Sequence, residues 1–197
     1  GEDWKDWITA LKNADAIEPD AITVAYSYIG PVLTHPMYRD GSIGKAKDHL
    51  FKTAKEITEE FNGIRAYLSV NKALVTQSSA AIPIVPLYIS ILYKVMKAKG
   101  CHEGCIEQMY RLFNQKLFGE KPVLDAEGRI RLDDLELQDD IQEEVTKLWS
   151  DISTEKIAEC ADIDGYWEEF YKLFGFKVTG VDYDAETDVE VKIDSID

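Results

Sequence analysis

Two apolar runs rich in β-formers, residues 21–28 and 64–70, flank a long amphipathic stretch, and this order constrains the fold more than any other feature of the chain. The first run is ended by Gly30 and Pro31. The stretch at 42–61 spaces Ala46, Leu50, Ala54, Ile57 and Phe61 for one buried helical face, and Asn62-Gly63 stops it. Continuous apolar strands of this kind suit a parallel sheet covered on both faces. Strand, helix and strand in this order predict a right-handed parallel crossover, and so an α/β fold. In such sheets ligands bind beyond the carboxyl ends of the strands. The first strand ends at Tyr26-Ser27-Tyr28-Ile29-Gly30 and the second leads into residues 71–76, so chemistry is expected at that edge.

The rest reads as mainly helical. Trp4, Trp7, Ile8 and Leu11 mark a short amphipathic helix ahead of the first strand. Residues 78–86 are small, apolar and broken by Pro83 and Pro86. Helices are expected at 87–99, with Leu87, Ile91 and Val95 inward, and at 105–118, with Ile106, Met109, Tyr110 and Phe113 inward. Residues 123–132 suit a small β-hairpin around Glu127-Gly128. An acidic helix at 138–152, with Ile141, Val145 and Leu148 on one face, and a short aromatic helix at 165–174 follow. The acidic end from 184 reads as loose. Asp182, Asp184, Glu186 and Asp188 alternate like crude calcium ligands, but without the glycine and terminal glutamate of a calcium loop they read as solvated.

The 197 residues suit one domain or a large piece of one, and 45% hydrophobic content is that of a globular chain. A formal charge of −15 repels nucleic acid. A local basic cluster survives at Arg39, Lys45, Lys47, His49, Lys52 and Lys55, where it would meet cofactor or coenzyme A phosphates, or else forms a solvated helix face. Cys101, Cys105 and Cys160 are too few for a disulfide framework and point to a reducing cytoplasm. Cys101-His102-Glu103-Gly104-Cys105 lacks the second ligand pair of a structural zinc site, so no metal is expected. The longest apolar run, 80–93, is too short to span a bilayer, and no signal peptide is read at Gly1. A soluble protein is the expectation.

Within the predicted edge, Tyr38 is followed nine places later by Lys47 through Arg-Asp-Gly-Ser-Ile-Gly-Lys-Ala. A free tyrosine, with a pKa of about 10, is a weak acid at neutral pH. A lysine ammonium beside it stabilises the phenolate and eases proton donation. One unbroken helix would put the two side chains on opposite faces. Gly41 interrupts that helix and Ser42 is a good N-cap, so Tyr38 is placed on a loop and Lys47 in the first turns of the next helix, pointing back under the phenol. Spacing alone is weak evidence, since a chain with ten tyrosines contains such pairs by chance.

The surrounding words add to it. Ala25-Tyr26-Ser27-Tyr28-Ile29-Gly30, Tyr38 to Lys47, Ser69-Val70-Asn71-Lys72-Ala73-Leu74-Val75-Thr76, His102-Glu103-Gly104-Cys105-Ile106-Glu107-Gln108, Phe174-Gly175-Phe176 and Gly180-Val181-Asp182-Tyr183 occur in that order. Together they resemble the single-chain trans-2-enoyl-CoA and enoyl-ACP reductases, which use Tyr-x8-Lys in a dehydrogenase-like fold. The resemblance runs from Gly1-Glu2-Asp3-Trp4 almost to the C-terminus. It implies an α/β fold containing part of a Rossmann-like parallel sheet, with helical substrate-binding additions. It also implies NADH-dependent reduction of the 2,3 double bond of an enoyl thioester of coenzyme A or acyl carrier protein, in fatty acid synthesis. Tyr38 matches the proton donor. Lys47 matches the lysine that binds the nicotinamide ribose and tunes that tyrosine. Tyr28 matches a tyrosine that contacts substrate near the thioester carbonyl. Ala73, Leu74 and Val75 match the backbone over the nicotinamide, with Thr76 close by.

The glycine-rich turn with which that family begins, where the pyrophosphate is held, is not present here, since Gly41-Ser42-Ile43-Gly44 lacks its spacing. The chain therefore reads as about the C-terminal half of the family pattern: 1–76 the catalytic Rossmann portion, 77–197 a mainly helical substrate cover and acidic tail. Its partners would be the enoyl thioester and the missing N-terminal half, in a protein that is a monomer when intact. Two other readings stay open. One is a Tyr/Lys-type reductase of ketones or aldehydes. The other is a non-catalytic acidic interaction module. Tyr28 also reads as a core tyrosine, and 73–75 as a plain strand exit.

Overall fold

The computed structural model describes residues 1–82, 84–119, 121–190 and 192. Pro83, within the proline-broken segment, and residues 191 and 193–197 of the acidic end lie outside them. Strand β1 (Ile22–Ser27) pairs in parallel with β2 (Arg65–Val70), Ile22 opposite Arg65 and Ser27 opposite Val70. Helix α3 (Ser42–Glu60) fills the crossover and buries Ala54 and, completely, Ile57 against the sheet. Removing a side chain the size of Ile57 from water contributes about 1.5–3 kcal/mol. Helix α1 (Glu2–Asn13) closes the same face through Ile8, and the Trp4 indole donates to Thr23 Oγ1 at 3.0 Å. Glu2 and Asp3 lie in its first turn and Lys12 in its last, matching the helix dipole. The N-cap of α3 is Gly41, not Ser42, which is already the first helical residue.

The α/β expectation with a parallel sheet holds, but the hairpin does not. The turn forms as expected, with Asp125 Oδ1 accepting from the amides of Glu127 and Arg129. No strand forms in its first arm, at 123–124, and β3 (Ile130–Arg131) instead joins β2 in parallel, giving the order β1-β2-β3. Burial decides this. Ile130 and Leu132 are fully buried with Leu112 and Leu117, whereas Val123 and Leu124, in the first arm of the expected hairpin, are exposed.

Beyond the sheet, α4 (Gln77–Ala80) leads to α5 (Ile84–Ala98), the centre of the largest core. Helix α5 starts ahead of the expected 87 because Pro86, in its first turn, lacks only an amide that has no helical acceptor there. Helices α7 (Asp139–Asp151) and α9 (Ile163–Lys172) pack on α5, with Ile141 and Val145 inward as expected; α8 (Ile157–Cys160) links them. Helix α6 (Cys105–Arg111) runs into a π-helical turn at Leu112–Leu117. Its inward face differs from expectation. Ile106, Tyr110 and Phe113 are exposed, while Gln108, Leu112 and Leu117 are buried. Gln108 is drawn in because its Oε1 accepts the Lys72 amide at 3.2 Å.

Candidate active site

Both strands deliver their carboxyl ends to one cleft. After β1, Tyr28 and Gly30 turn the chain, Gly30 in the left-handed region at φ 77°, and a short 3-10 turn (Val32–Thr34) feeds α2 (His35–Tyr38). Tyr38 is the last residue of α2. Helix α3 then starts so close to it that a Cβ on Gly44 would overlap the Arg39 carbonyl and lie 3.1 Å from that of Tyr38. This close approach puts Lys47, in the second turn of α3, against the rings of both tyrosines. Its Nζ lies 5.3 Å from the Tyr38 ring centre and 5.6 Å from that of Tyr28, and donates to the Tyr28 carbonyl. The two rings meet edge to face, 4.9 Å apart at 88°.

The cleft encloses about 390 Å³. Tyr28, Tyr38, Lys47, Ala73, Leu74 and Thr76 all line it, so the structure gathers these predicted residues from three separate segments. Val75 is turned away. Its side chain is buried in the main core, and its amide donates to the Tyr93 hydroxyl at 3.3 Å. Thr76 caps α4 by accepting from the Ser79 amide at 3.0 Å. Ile82, Val85 and Ile89 form an apolar wall. The wider basic cluster disperses: Arg39 faces Asp48, Lys52 pairs with Glu56, and Lys55 lies over the Phe51 ring. Lys47 alone of these six enters this cleft.

The electrostatics differ from the expectation at one point. A lysine at this position is expected to acidify Tyr38, but the Lys47 ammonium sits over the ring and burial pushes the Tyr38 hydroxyl up. The phenol is held protonated by burial, with no hydrogen-bond partner among the described residues. Lys47 itself is lowered to about 8 by burial. Tyr28 differs from Tyr38. Its hydroxyl donates to Glu136 Oε1 at 3.0 Å, and burial, then the Glu136 charge, hold its pKa well above the ordinary phenol value.

Glu136, Tyr88 and Lys72 were missed by sequence reasoning. Glu136 is fully buried and also accepts from the Tyr88 hydroxyl at 2.6 Å and the Ala73 amide at 2.7 Å. Burial raises its carboxyl, opposed by those donors and the Lys72 charge. Lys72, buried and lowered to about 8 by desolvation, donates to the Ala73 carbonyl at 3.0 Å. The available signal was a carboxylate set between Leu135 and Leu137 within an acidic stretch. Among the described residues no three His, Cys, Asp or Glu side chains converge to hold a metal ion.

Comparison with known proteins bears on this site. A family described as "Trans-2-enoyl-CoA reductase catalytic region" matches residues 1–118, and one described as "Enoyl reductase FAD binding domain" matches residues 124–187. The chain is 53% identical over 198 residues to trans-2-enoyl-CoA reductase (NADH) of Ruminiclostridium cellulolyticum, covering 100% of this chain and 50% of that protein. It is 54% identical over 199 residues to enoyl-(acyl-carrier-protein) reductase (NADH) of Flavobacterium psychrophilum, with the same shares. Among solved structures, Treponema denticola trans-2-enoyl-CoA reductase in complex with NAD aligns with a TM-score of 0.89 and 48% identity, over 95% of this chain and 47% of that one. The Clostridium acetobutulicum enzyme in complex with NADH gives 0.89 and 49%, over 96% and 49%. The fold is thus Rossmann-like, and the chain spans about half the length of the curated relatives it matches. A flavin does not fit residues 124–187. They carry 19 acidic against six basic residues. Both arginines there are engaged with carboxylates, Arg129 with Asp125 and Glu127, Arg131 with Asp133. The hollow on α7 is lined by Asp139, Gln142, Glu143 and Thr146, a poor seat for a diphosphate.

Proposed function

This chain belongs to the trans-2-enoyl-CoA reductase family, and on that footing we propose that the full-length polypeptide carrying it reduces the 2,3 double bond of trans-2-enoyl thioesters with NADH. The observation that carries the reading is the convergence of Tyr38, Lys47 and Tyr28 at the carboxyl ends of two parallel strands, facing the apolar wall of Ile82, Val85 and Ile89. The nicotinamide-ribose end of the cofactor fits the residues present: Lys47 offers a cation, and Ala73, Leu74 and Thr76 line the cleft beside it. The diphosphate-binding half lies elsewhere in the polypeptide. Residues 1–76 carry the catalytic edge, and the described residues of 77–197 supply the helical cover, α4 to α9, together with β3.

NADH, when bound, supplies the hydride. As the β-carbon takes the hydride, negative charge builds on the thioester oxygen, and the Tyr38 hydroxyl, free of any competing acceptor among the described residues, donates to that oxygen; the enolate then collapses with uptake of one proton at its α-carbon, from the Tyr38 hydroxyl or a water linked to it, to give the saturated thioester. Lys47 orients the ribose hydroxyls and, above the Tyr38 ring, adds positive potential where the charge develops. Tyr28 offers ring and hydroxyl oxygen to the acyl thioester. The apolar wall excludes water from the reacting carbons. Three free cysteines are consistent with a cytoplasmic setting, and among the described residues no helix is long and apolar enough to cross a membrane. Sequence relatives of both thioester types support a reaction in acyl-chain building.

The test is NADH oxidation by the full-length polypeptide with crotonyl-CoA against a simple ketone. Turnover confined to the enoyl thioester is expected; preference for the ketone would make it a different Tyr/Lys reductase, and no turnover of either would favour the acidic interaction module. The pH profile adds a second test. Because kcat/KM reports groups of the free enzyme, its alkaline limb should centre near pH 8, where the buried Lys47 loses its proton. Lys47→Arg stays charged, so the limb should vanish in that variant even if activity is reduced. A limb unchanged in Lys47→Arg would assign it to Lys72, the other lysine held near 8.

A further inference from the structure

We propose that Glu136 is a positioning residue that commits the Tyr28 proton inward, leaving Tyr38 as the one phenol of the pair able to donate into the cleft. The inference rests on the enoyl-reductase reading above. Two tyrosines stand edge to face in this cleft, and either could in principle deliver a proton. Glu136 separates them. It comes from the segment between β3 and α7, 108 residues beyond Tyr28, is fully buried, and faces three donors. Oε1 takes the Tyr28 hydroxyl at 3.0 Å and the Tyr88 hydroxyl at 2.6 Å, and Oε2 takes the Ala73 amide at 2.7 Å. The Tyr88 oxygen is itself approached by Gln142 Nε2 at 3.4 Å, which leaves the Tyr88 proton to point at the carboxylate. Buried Lys72 supplies the compensating charge. Three donors and a nearby cation are the surroundings of an ionised acceptor, for which an unpartnered state would be costly.

Two consequences follow for the cleft. The Tyr28 hydroxyl presents lone pairs, not its proton, to whatever lies against it. The same carboxylate also ties Tyr28 to Ala73, joining the strand exit that contacts substrate to the one that lies along the cofactor. Tyr38 has no such anchor among the described residues.

Glu136→Gln isolates the first consequence. The amide oxygen can keep the Ala73 bond at the Oε2 position, while the NH₂ group placed at Oε1 now donates to the tyrosines and turns the Tyr28 proton outward. In the full-length enzyme, kcat/KM with crotonyl-CoA is expected to fall by about 10-fold or more, with NADH affinity within about twofold of wild type, as for loss of a charged hydrogen bond. On a Tyr28→Phe background the same substitution should change kcat/KM by less than about twofold, because its route of action is gone. Equal fold-losses on the two backgrounds, or no loss on either, would overturn the proposal. If Glu136→Gln does not fold, Glu136→Asp, which keeps the charge but retracts it by one methylene, goes through the same cycle: a loss confined to the Tyr28 background supports the proposal, and equal losses or none overturn it. Tyr38→Phe is measured alongside. If it turns over normally, the reductase reading falls; if it is inactive while the Glu136 effect ignores Tyr28, only the positioning role falls.

Discussion

Tyr38→Phe in the full-length polypeptide lowers kcat for enoyl-thioester reduction by about 10²- to 10⁴-fold, the range for loss of a positioned proton donor, and leaves the melting temperature at the wild-type value. The separation of the two effects follows from the structure. The Tyr38 hydroxyl satisfies no protein group among the described residues, so its removal strands no buried partner. The ring keeps its edge-to-face contact with Tyr28 and its place under Lys47. Tyr28→Phe is the contrasting case, because it takes one of three donors from a fully buried carboxylate and should cost stability as well as rate. Steady-state kinetics with thermal unfolding on the same samples distinguish the two variants. Turnover by Tyr38→Phe within a few-fold of wild type would remove Tyr38 from the chemistry.

Gly44→Ala is expected to damage both stability and rate without touching a reacting group. A methyl group there meets the Arg39 carbonyl and approaches that of Tyr38 at 3.1 Å. Both are backbone atoms, and no flexible side chain can yield. The junction of α2 and α3 must open, at about 1–3 kcal/mol for overpacking of this kind. Opening it moves Tyr38 relative to Lys47, and a misplacement of about 1 Å can cost about 10²-fold in rate. Gly41→Ala three residues earlier is the control. Its Cβ meets only the Met37 carbonyl, at 3.9 Å, so the loss should stay within about 1 kcal/mol, the scale of an N-cap change. Denaturant midpoints and kcat measure both; a Gly44→Ala enzyme as stable and active as wild type would show that the close approach does not set the Tyr38 position.

What the sequence alone makes legible follows a physical division. The crossover was legible because 21–28, 42–61 and 64–70 carry their periods in consecutive residues, and local pattern is what a linear reading detects. The Tyr38–Lys47 pairing was legible for a similar reason: the break at Gly41 is local. Glu136 was not. Its partners lie 108, 63 and 48 residues away, and nothing near it in the chain marks the buried carboxylate except its leucine neighbours. The hairpin failed likewise. The turn at Asp125 is encoded locally, but the partner of Ile130 is Ser69, chosen by burial across the sheet. Along α6, apolar spacing pointed to Ile106 and Tyr110, while the long-range bond from the Lys72 amide to Gln108 Oε1 set which face turned inward. The position of Lys47 was anticipated and its effect on Tyr38 was not, because desolvation depends on what packs around the pair.

The proposed chemistry depends above all on the Tyr38 hydroxyl, not that of Tyr28, meeting the oxygen on which charge develops. A structure of the full-length polypeptide with NAD and a trans-2-enoyl thioester shows which phenol does so. The Tyr38 oxygen is expected within about 2.5–3.0 Å of the thioester carbonyl oxygen, a hydrogen-bond distance, with the Tyr28 hydroxyl still on Glu136. A thioester oxygen bonded instead to Tyr28, with Tyr38 turned away from it, would refute the assignment.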